Sequence, residues 1–347
     1  MKKATSSRRS FLKQSSMTAG LAAFGSIGLN NGSLIQEKLR KDRLPREVWI
    51  AGISQMDLQT ETAEMMVDEV IQIMNSVFPF QPDIICLPEV FPTSNINREL
   101  SLSDKVAISE KILLQFSALA KQHNCYIICP LITSEGGKVY NAAVVFDRSG
   151  SRIGEYRKMH LTIDEIESGL TMGPLDPPIF RADFGKFGIQ ICYDIYWNDG
   201  WEKLCSKGAE IIFWPSAFAA GQRVNIKACE NQCIVVTSTR KNTSKICDIR
   251  GEVVAETGFW QRNSFVGTVN LEKVLVDTWP HVKRFNEITG KYGRKVRITT
   301  FHEEQWSVIE SLSPDLHISD ILLEFGIKTY KQDIQEAESV QLKARNT

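Results

Sequence analysis

The sequence predicts an α/β fold in which two sheets pack face to face with helices outside. Three observations lead there. From Val48 to Ile132, short apolar runs alternate with segments of helical periodicity, the strand–helix–strand order of α/β proteins. Several runs, such as Asp83-Ile84-Ile85-Cys86-Leu87, are apolar without alternation, as in strands covered on both faces. The strand-like runs also outnumber the amphipathic helices, so sheet must cover sheet.

Val48–Ile53 is β-rich and opens the series. Thr60 to Phe78 then places Ala63, Met66, Val67, Val70, Ile71, Met74, Val77 and Phe78 on one helical face, and Pro79 and Pro82 end it. The strand Asp83–Leu87, a second amphipathic helix over Ser103–His123 and the strand Cys125–Ile132 follow. Val139–Asp147 and Gly154–Lys158 flank Ser149-Gly150 as a hairpin. Beyond a Gly- and Pro-rich loop, strands at Ile179–Asp183, Phe187–Ile191, Ile211–Trp214 and Ile234–Ser238 alternate with helices near Trp201–Lys207 and Val224–Asn231. Lys245–Ile249 and Val253–Glu256 form a second hairpin around Arg250-Gly251, and Phe265–Val269 closes the series. Residues from about Lys295 to Tyr330 add two short strands and a helix, Ile318–Phe325. Residues 276–330 read as an extension of the domain spanning 45–275, and 331–347 as a loose polar tail.

The first 40 residues stand apart. Residues 1–33 carry five Lys/Arg and no acid, which leaves 36 basic against 41 acidic residues in the remainder, a net −5 inside a chain of formal charge zero. Ser7-Arg8-Arg9-Ser10-Phe11-Leu12-Lys13, followed by the weakly apolar Met17–Leu29, resembles a bacterial twin-arginine export signal. Residues 1–40 are therefore expected to be a signal and linker directing the protein to the periplasm or beyond. The apolar stretch is too short and too rich in Gly and Ser to span a bilayer, so no stable membrane insertion is expected. The balanced charge argues against a nucleic-acid surface. Eight cysteines sit mostly in apolar runs with no Cys-x-x-Cys pair beside a histidine cluster, which speaks against a disulfide framework and against a zinc site.

Four segments at the ends of strand-like runs carry reactive groups, where α/β sheets tend to place them. In Leu87-Pro88-Glu89-Val90-Phe91 an acid in apolar surroundings suits proton transfer, although a strand-end glutamate is often only a cap or a salt-bridge partner. Tyr156-Arg157-Lys158-Met159-His160 offers a lysine that can stabilise an oxyanion or guard a solvated strand edge; a lone histidine there reads as structural. Ile163–Gly173 is an acidic loop ending in glycines. Gly188-Ile189-Gln190-Ile191-Cys192-Tyr193-Asp194 puts a cysteine at a strand-to-helix turn, as a nucleophile with free N–H groups behind it or as a small buried hydrophobe.

Taken in this order, together with Tyr140-Asn141-Ala142-Ala143, Lys207-Gly208-Ala209-Glu210-Ile211-Ile212, Pro215-Ser216-Ala217 and Ala228-Cys229-Glu230-Asn231, the segments resemble the nitrilase superfamily of carbon–nitrogen hydrolases over roughly Val48 to Leu271. The resemblance implies an α-β-β-α sandwich. It implies Cys192 as nucleophile, Glu89 as general base, and Lys158 with the Tyr193 N–H as oxyanion stabilisers. It also implies a second glutamate, for which Glu167 fits best through Glu167-x-Gly169-x-Thr171-x-Gly173, with Glu165 as runner-up. Neither metal nor organic cofactor is implied, and a homodimer or higher homo-oligomer is.

Tyr193-Asp194 after the cysteine resembles the amidase and carbamoylase branches, whereas Ile195-Tyr196-Trp197-Asn198-Asp199 departs from the Arg-Phe-Pro-Glu common there. The expected substrate is a small linear amide or N-carbamoyl compound, with Tyr196, Trp197, Trp214 and Phe218 as an apolar rim. Competing expectations are a nitrilase or a silent binding protein of the same fold. A papain-like protease would need a positioned histidine, and the five histidines offer no such motif.

Overall fold

A computed structural model describes residues 46–346. The basic N-terminal segment read as an export signal lies outside them. Strand β1 (Glu47–Ile53) is followed by α1 (Ala63–Val77), β2 (Ile84–Cys86), α2 (Leu102–His123), β3 (Tyr126–Glu135), β4 (Lys138–Phe146) and β5 (Arg152–Arg157). The second half runs α3 (Ile163–Glu167), β6 (Phe180–Arg181), β7 (Lys186–Ile189), α4 (Asp199–Ser206), β8 (Ile211–Ser216), α5 (Gln222–Asn231), β9 (Ile234–Thr239), β10 (Lys245–Cys247), β11 (Val253–Glu256) and β12 (Ser264–Asn270).

These strands form two six-stranded sheets, one in the order β12-β1-β2-β3-β4-β5 and the other β11-β10-β9-β8-β7-β6. The period of two along each strand sorts the core into layers. Ile84 and Cys86 of β2 meet Ile211 and Phe213 of β8 in the cluster between the sheets. Ile85 and Leu87 point the other way, onto Met66, Val70 and Met74 of α1 and Phe116 of α2. Ile212 and Trp214 of β8 likewise turn outward onto Trp201 and Leu204 of α4 and Val224 of α5. The result is helix, sheet, sheet, helix. Each fully buried Ile, Leu or Phe contributes about 1.5–3 kcal/mol, so a one-residue register slip in β2 or β8 would expose a whole face and is strongly disfavoured. Both hairpins form as expected, β4 with β5 and β10 with β11 antiparallel. Among the strands with reactive groups at their C-terminal ends, β2 pairs in parallel with β1 and β3, and β8 pairs in parallel with β7 and β9.

After β12, β13 (Lys273–Asp277) leads into α6 (Thr278–Tyr292), then β14 (Val296–Phe301), β15 (Trp306–Ser311) and α7 (Ile318–Phe325). The three strands make a small sheet, β13-β15-β14, whose own core includes Phe285, Ile288, Ile309 and Ile321. The sequence reading missed β13 and α6 and took the tail for loose. The tail instead forms α8 (Tyr330–Arg345), none of whose residues is buried. Local chemistry explains it: Thr329 and Gln332 form a capping box, Asp333 lies in the first turn, and Lys343 and Arg345 lie in the last. Among the described residues, no helix is long and apolar enough to cross a membrane.

Candidate active site

The reactive segments converge at one end of the two sheets. Leu87 extends the β2 ladder by donating its N–H to the Ile128 carbonyl at 3.1 Å, and the chain then turns sharply. Val90 makes that turn at φ +49°, a left-handed conformation unusual for a β-branched residue, and Glu89 is thereby pinned in the interior at 2% exposure. Cys192 repeats the device on the other sheet: at φ +46° it opens the 3₁₀ turn Cys192–Tyr196 just beyond β7. Two strained backbone positions at one site indicate surroundings that over-determine the geometry.

Asp194 supplies much of that determination. Fully buried, it accepts from the Tyr156 hydroxyl at 2.7 Å and from the N–H groups of Ile191 and His160, both at 2.8 Å. The imidazole of His160 lies 3.0 Å from the same carboxylate and stacks on Trp197, so this histidine braces the turn. The Trp214 indole N–H donates to the Cys192 carbonyl at 3.0 Å.

Lys158 enters from just past β5, almost wholly buried. Its ammonium donates to Glu89 Oε1 at 2.9 Å and to both Glu165 oxygens at 2.9 and 2.8 Å. Asn141 of β4 ties the same two acids together, its amide donating to Glu89 Oε1 at 2.9 Å and Glu165 Oε1 at 2.8 Å. The second glutamate at this cluster is therefore Glu165, and the expected Glu167 is corrected. Thr162 and Glu165 form a capping box at the start of α3, which turns the Glu165 carboxylate back toward the helix N-terminus and the lysine. Glu167 lies two residues further, roughly 200° round the helix, and is exposed. The signal was present in the sequence as Thr162-Ile163-Asp164-Glu165, inside a stretch read only as a loop.

The electrostatics follow from this packing. Burial alone would raise the Glu89 carboxyl, but the Lys158 and Arg240 cations, with hydrogen bonds from Lys158 and Asn141, hold it below its usual range. Lys158 is pulled down by burial and pushed further up by Glu89, Cys192 and Glu165, so it stays charged. Burial and the Glu89 charge raise the Cys192 thiol to about 12, against the opposing pull of Lys158, the Ala217 N–H and the Ser216 hydroxyl. The resting group is thus a neutral thiol that needs a base. Glu89 Oε2 is buried and has no hydrogen-bond partner among the described residues, which makes it the oxygen able to accept a proton.

A cavity of about 470 Å³ reaches Glu89, Asn141, Glu165 and Arg240, a size suited to a small organic molecule. Tyr193 packs edge-on against Tyr196 and Trp197, with ring centroids 5.2 and 5.0 Å away, and Tyr196 and Trp197 are partly exposed. Trp214 does not line a rim: it is completely buried behind the cysteine, because position 214 falls on the helix-facing side of β8. Asn141, Ser216 and Asp194 lay within quoted motifs but were given no role there, and nothing local marks Arg240.

A family model described as carbon–nitrogen hydrolase matches residues 50–280. A hydrolase in the pqqF 5′ region of Pseudomonas protegens is 33% identical over 161 residues, covering 44% of this chain and 56% of that protein. A deaminated glutathione amidase from Synechocystis sp. is 28% identical over 207 residues, 51% of this chain and 75% of that protein. The solved structure of an amidase variant from Nesterenkonia sp. AN1, with the acetamide moiety of fluoroacetamide added covalently at its active site cysteine, matches with a TM-score of 0.56 at 16% identity. That match covers 66% of this chain and 93% of that one, and it is a likeness of fold. The family match runs through the strands that carry Glu89, Lys158 and Cys192, and the chain belongs to the carbon–nitrogen hydrolases of the nitrilase superfamily.

Proposed function

We propose that this protein hydrolyses a small linear amide or N-carbamoyl compound through an acyl-thioester on Cys192. The observation that carries the reading is a neutral, buried thiol grouped with a carboxylate that keeps one oxygen free, while a buried lysine holds the other. As the Cys192 sulfur bonds to the substrate carbon, its proton passes to Glu89 and the carbonyl electron pair moves onto oxygen. The oxyanion is met by Lys158 and by the N–H of Tyr193, which lies in the first turn of the 3₁₀ segment where N–H groups lack partners within the turn. Collapse of this intermediate breaks the carbon–nitrogen bond, and Glu89 returns the proton to the departing amine. Water, deprotonated by Glu89, then cleaves the thioester and restores the thiol. Glu165 and Asn141 position the lysine and the base.

The deaminated glutathione amidases among the relatives support an amide, and a relative described as a nitrilase keeps a nitrile as the second reading. The test is ammonia release and intact mass across amides, N-carbamoyl compounds and nitriles, beside Cys192→Ala. The expected result is acyl mass trapped on Cys192 of the wild-type protein and turnover that falls on the order of 10⁶-fold in the variant. Ammonia release that survives Cys192→Ala would overturn the reading.

A further inference from the structure

Cys205 and Cys233 meet at the end of the second sheet away from the site, and no step above uses them. Cys205 lies in the last turn of α4, and Cys233 lies between the end of α5 and the start of β9. Because β8 and β9 run parallel with Ile211 opposite Ile234, the two helix-to-strand connections lie side by side. The Ile234 N–H donates to the Glu210 carbonyl at 3.0 Å and holds the connections together. Cys205 packs on the helix-facing cluster that contains Cys233, and the two thiols are hydrogen-bonded to each other. Both are free thiols. In the sequence Cys233 follows Cys229 by four positions, yet the fold gives it a partner from the neighbouring helix instead.

The two thiols are unequal. Cys233 is buried, whereas Cys205 is only partly buried. The hydrogen bond from Cys233 lowers the Cys205 thiol against the opposing effect of burial; Lys331 of α8 lowers it further, and Glu202 of α4 opposes. The same hydrogen bond and burial raise Cys233, so Cys205 is the thiol that ionises and Cys233 the donor that supports it. A reachable thiolate beside a buried second thiol is the arrangement in which oxidation of the first is resolved by the second. Cys192 is the opposite case, a neutral thiol raised to about 12 by burial and by Glu89. Burial raises Cys86, Cys125, Cys129, Cys229 and Cys247 as well.

We propose that Cys205 and Cys233 are a redox-reactive modification site, which a peroxide converts to an intramolecular disulfide while the Cys192 thiol stays reduced. With hydrogen peroxide, the Cys205 sulfur bonds to one peroxide oxygen, the O–O bond breaks, and the other oxygen leaves as water with the thiol proton. Cys205 is then a sulfenic acid, oxidised by two electrons, and the peroxide is reduced by two. The Cys233 sulfur next bonds to the Cys205 sulfur, the S–O bond breaks, and hydroxide takes the Cys233 proton and leaves as water. Both cysteines end an element, where the backbone yields most readily to let the two sulfurs close. The bond ties α4, which follows the turn carrying Cys192, to the start of β9.

The experiment treats the reduced, full-length protein with hydrogen peroxide, blocks the remaining thiols with iodoacetamide in denaturant, and maps the peptides by mass. A linked Cys205–Cys233 peptide pair is expected, lighter than the two thiols by two hydrogens, about 2 Da, and split again by dithiothreitol. The Cys192 peptide is recovered alkylated. In Cys233→Ser, dimedone captures Cys205 as the sulfenic acid, and in Cys205→Ser, Cys233 is recovered reduced. Without peroxide, iodoacetamide alkylates Cys205 of the native protein at least about tenfold faster than Cys192 at neutral pH. Cys233→Ala moves the pH dependence of that reaction upward, because the thiol donor is gone. Both thiols recovered alkylated after peroxide overturn the proposal, as does a disulfide from Cys233 to Cys229. A Cys205 bond to a second copy, seen as a dimer on a non-reducing gel, overturns it too, and so does Cys192 reacting first. The wild-type mapping decides the matter even where a serine variant fails to fold.

Discussion

The two six-stranded sheets contribute opposite kinds of chemistry to the site. The sheet containing β2, β4 and β5 delivers Glu89, Asn141 and Lys158, a network closed by Glu165 in which one buried ammonium is shared by two carboxylates. The sheet containing β7 and β8 delivers the Cys192 thiol and its neutral donors, the Ser216 hydroxyl and the Ala217 N–H. On the first sheet the reactive groups hold each other in place, so stability and chemistry are coupled. On the second the thiol contributes little to the fold, and its position is set by a strained turn braced through Asp194 and Trp214. The difference teaches that a buried ion network holds its own members in place, while a buried thiol depends on a scaffold made by others.

The sharpest way to break this comparison is to remove one member from each sheet. Lys158→Met leaves Glu89 and Glu165 facing each other without their cation. It should cost about 3–5 kcal/mol of unfolding free energy in urea and about 10²–10³-fold in turnover. Cys192→Ala should abolish turnover yet shift the urea midpoint by less than about 1 kcal/mol equivalent, as expected for a small side chain. Equal destabilisation by the two changes would erase the distinction.

A smaller effect separates the two acids on the first sheet. Glu165→Gln weakens charge-assisted hydrogen bonds from Lys158 and Asn141, and kcat should fall about 10–100-fold. Glu167→Gln, on the exposed side of α3, should change kcat less than about twofold. Steady-state kinetics on the two variants decide it, and the reverse ranking would restore Glu167 to the site.

The smallest expected effect concerns the second sheet. A thiol raised to about 12 is neutral through the working range, and because its charged form is the deprotonated one, rising pH must increase its reactivity. Alkylation of Cys192 by iodoacetamide should climb about tenfold per pH unit from pH 8 to 10. Ser216→Ala should slow it only a further few-fold, about the worth of one hydrogen bond. A plateau below pH 9 would mean a pre-formed thiolate, placing charge on both sheets.

How much of this was legible differs by kind of residue. The strands of the two large sheets, both hairpins and helices α1 and α2 were readable because period-two and period-3.6 patterns record which face of an element is buried. Strand β13 and helix α6 were missed, and α8 went unread because a polar helix held by a capping box has no apolar stripe to betray it. Glu89, Lys158 and Cys192 stood in ordered local segments of the sequence, and the fold brings the first two into contact. Trp214 was misplaced because its hydrophobic character announces burial but not whether it fronts a cavity or backs a turn.

The sequence by itself determined most of the elements of the two large sheets and the residue types available at the strand ends. All of these are encoded within about a dozen neighbouring positions. Only the tertiary structure decided which groups meet. Glu89 and Lys158 are 69 residues apart and Glu89 and Asn141 are 52 apart, while Arg240 reaches Ser94 across 146. The choice of Glu165 over Glu167 and the neutral state of Cys192 both follow from those meetings. Burial and the charge of a facing group set protonation and reactivity, and both are properties of the packed sheets, not of any one segment.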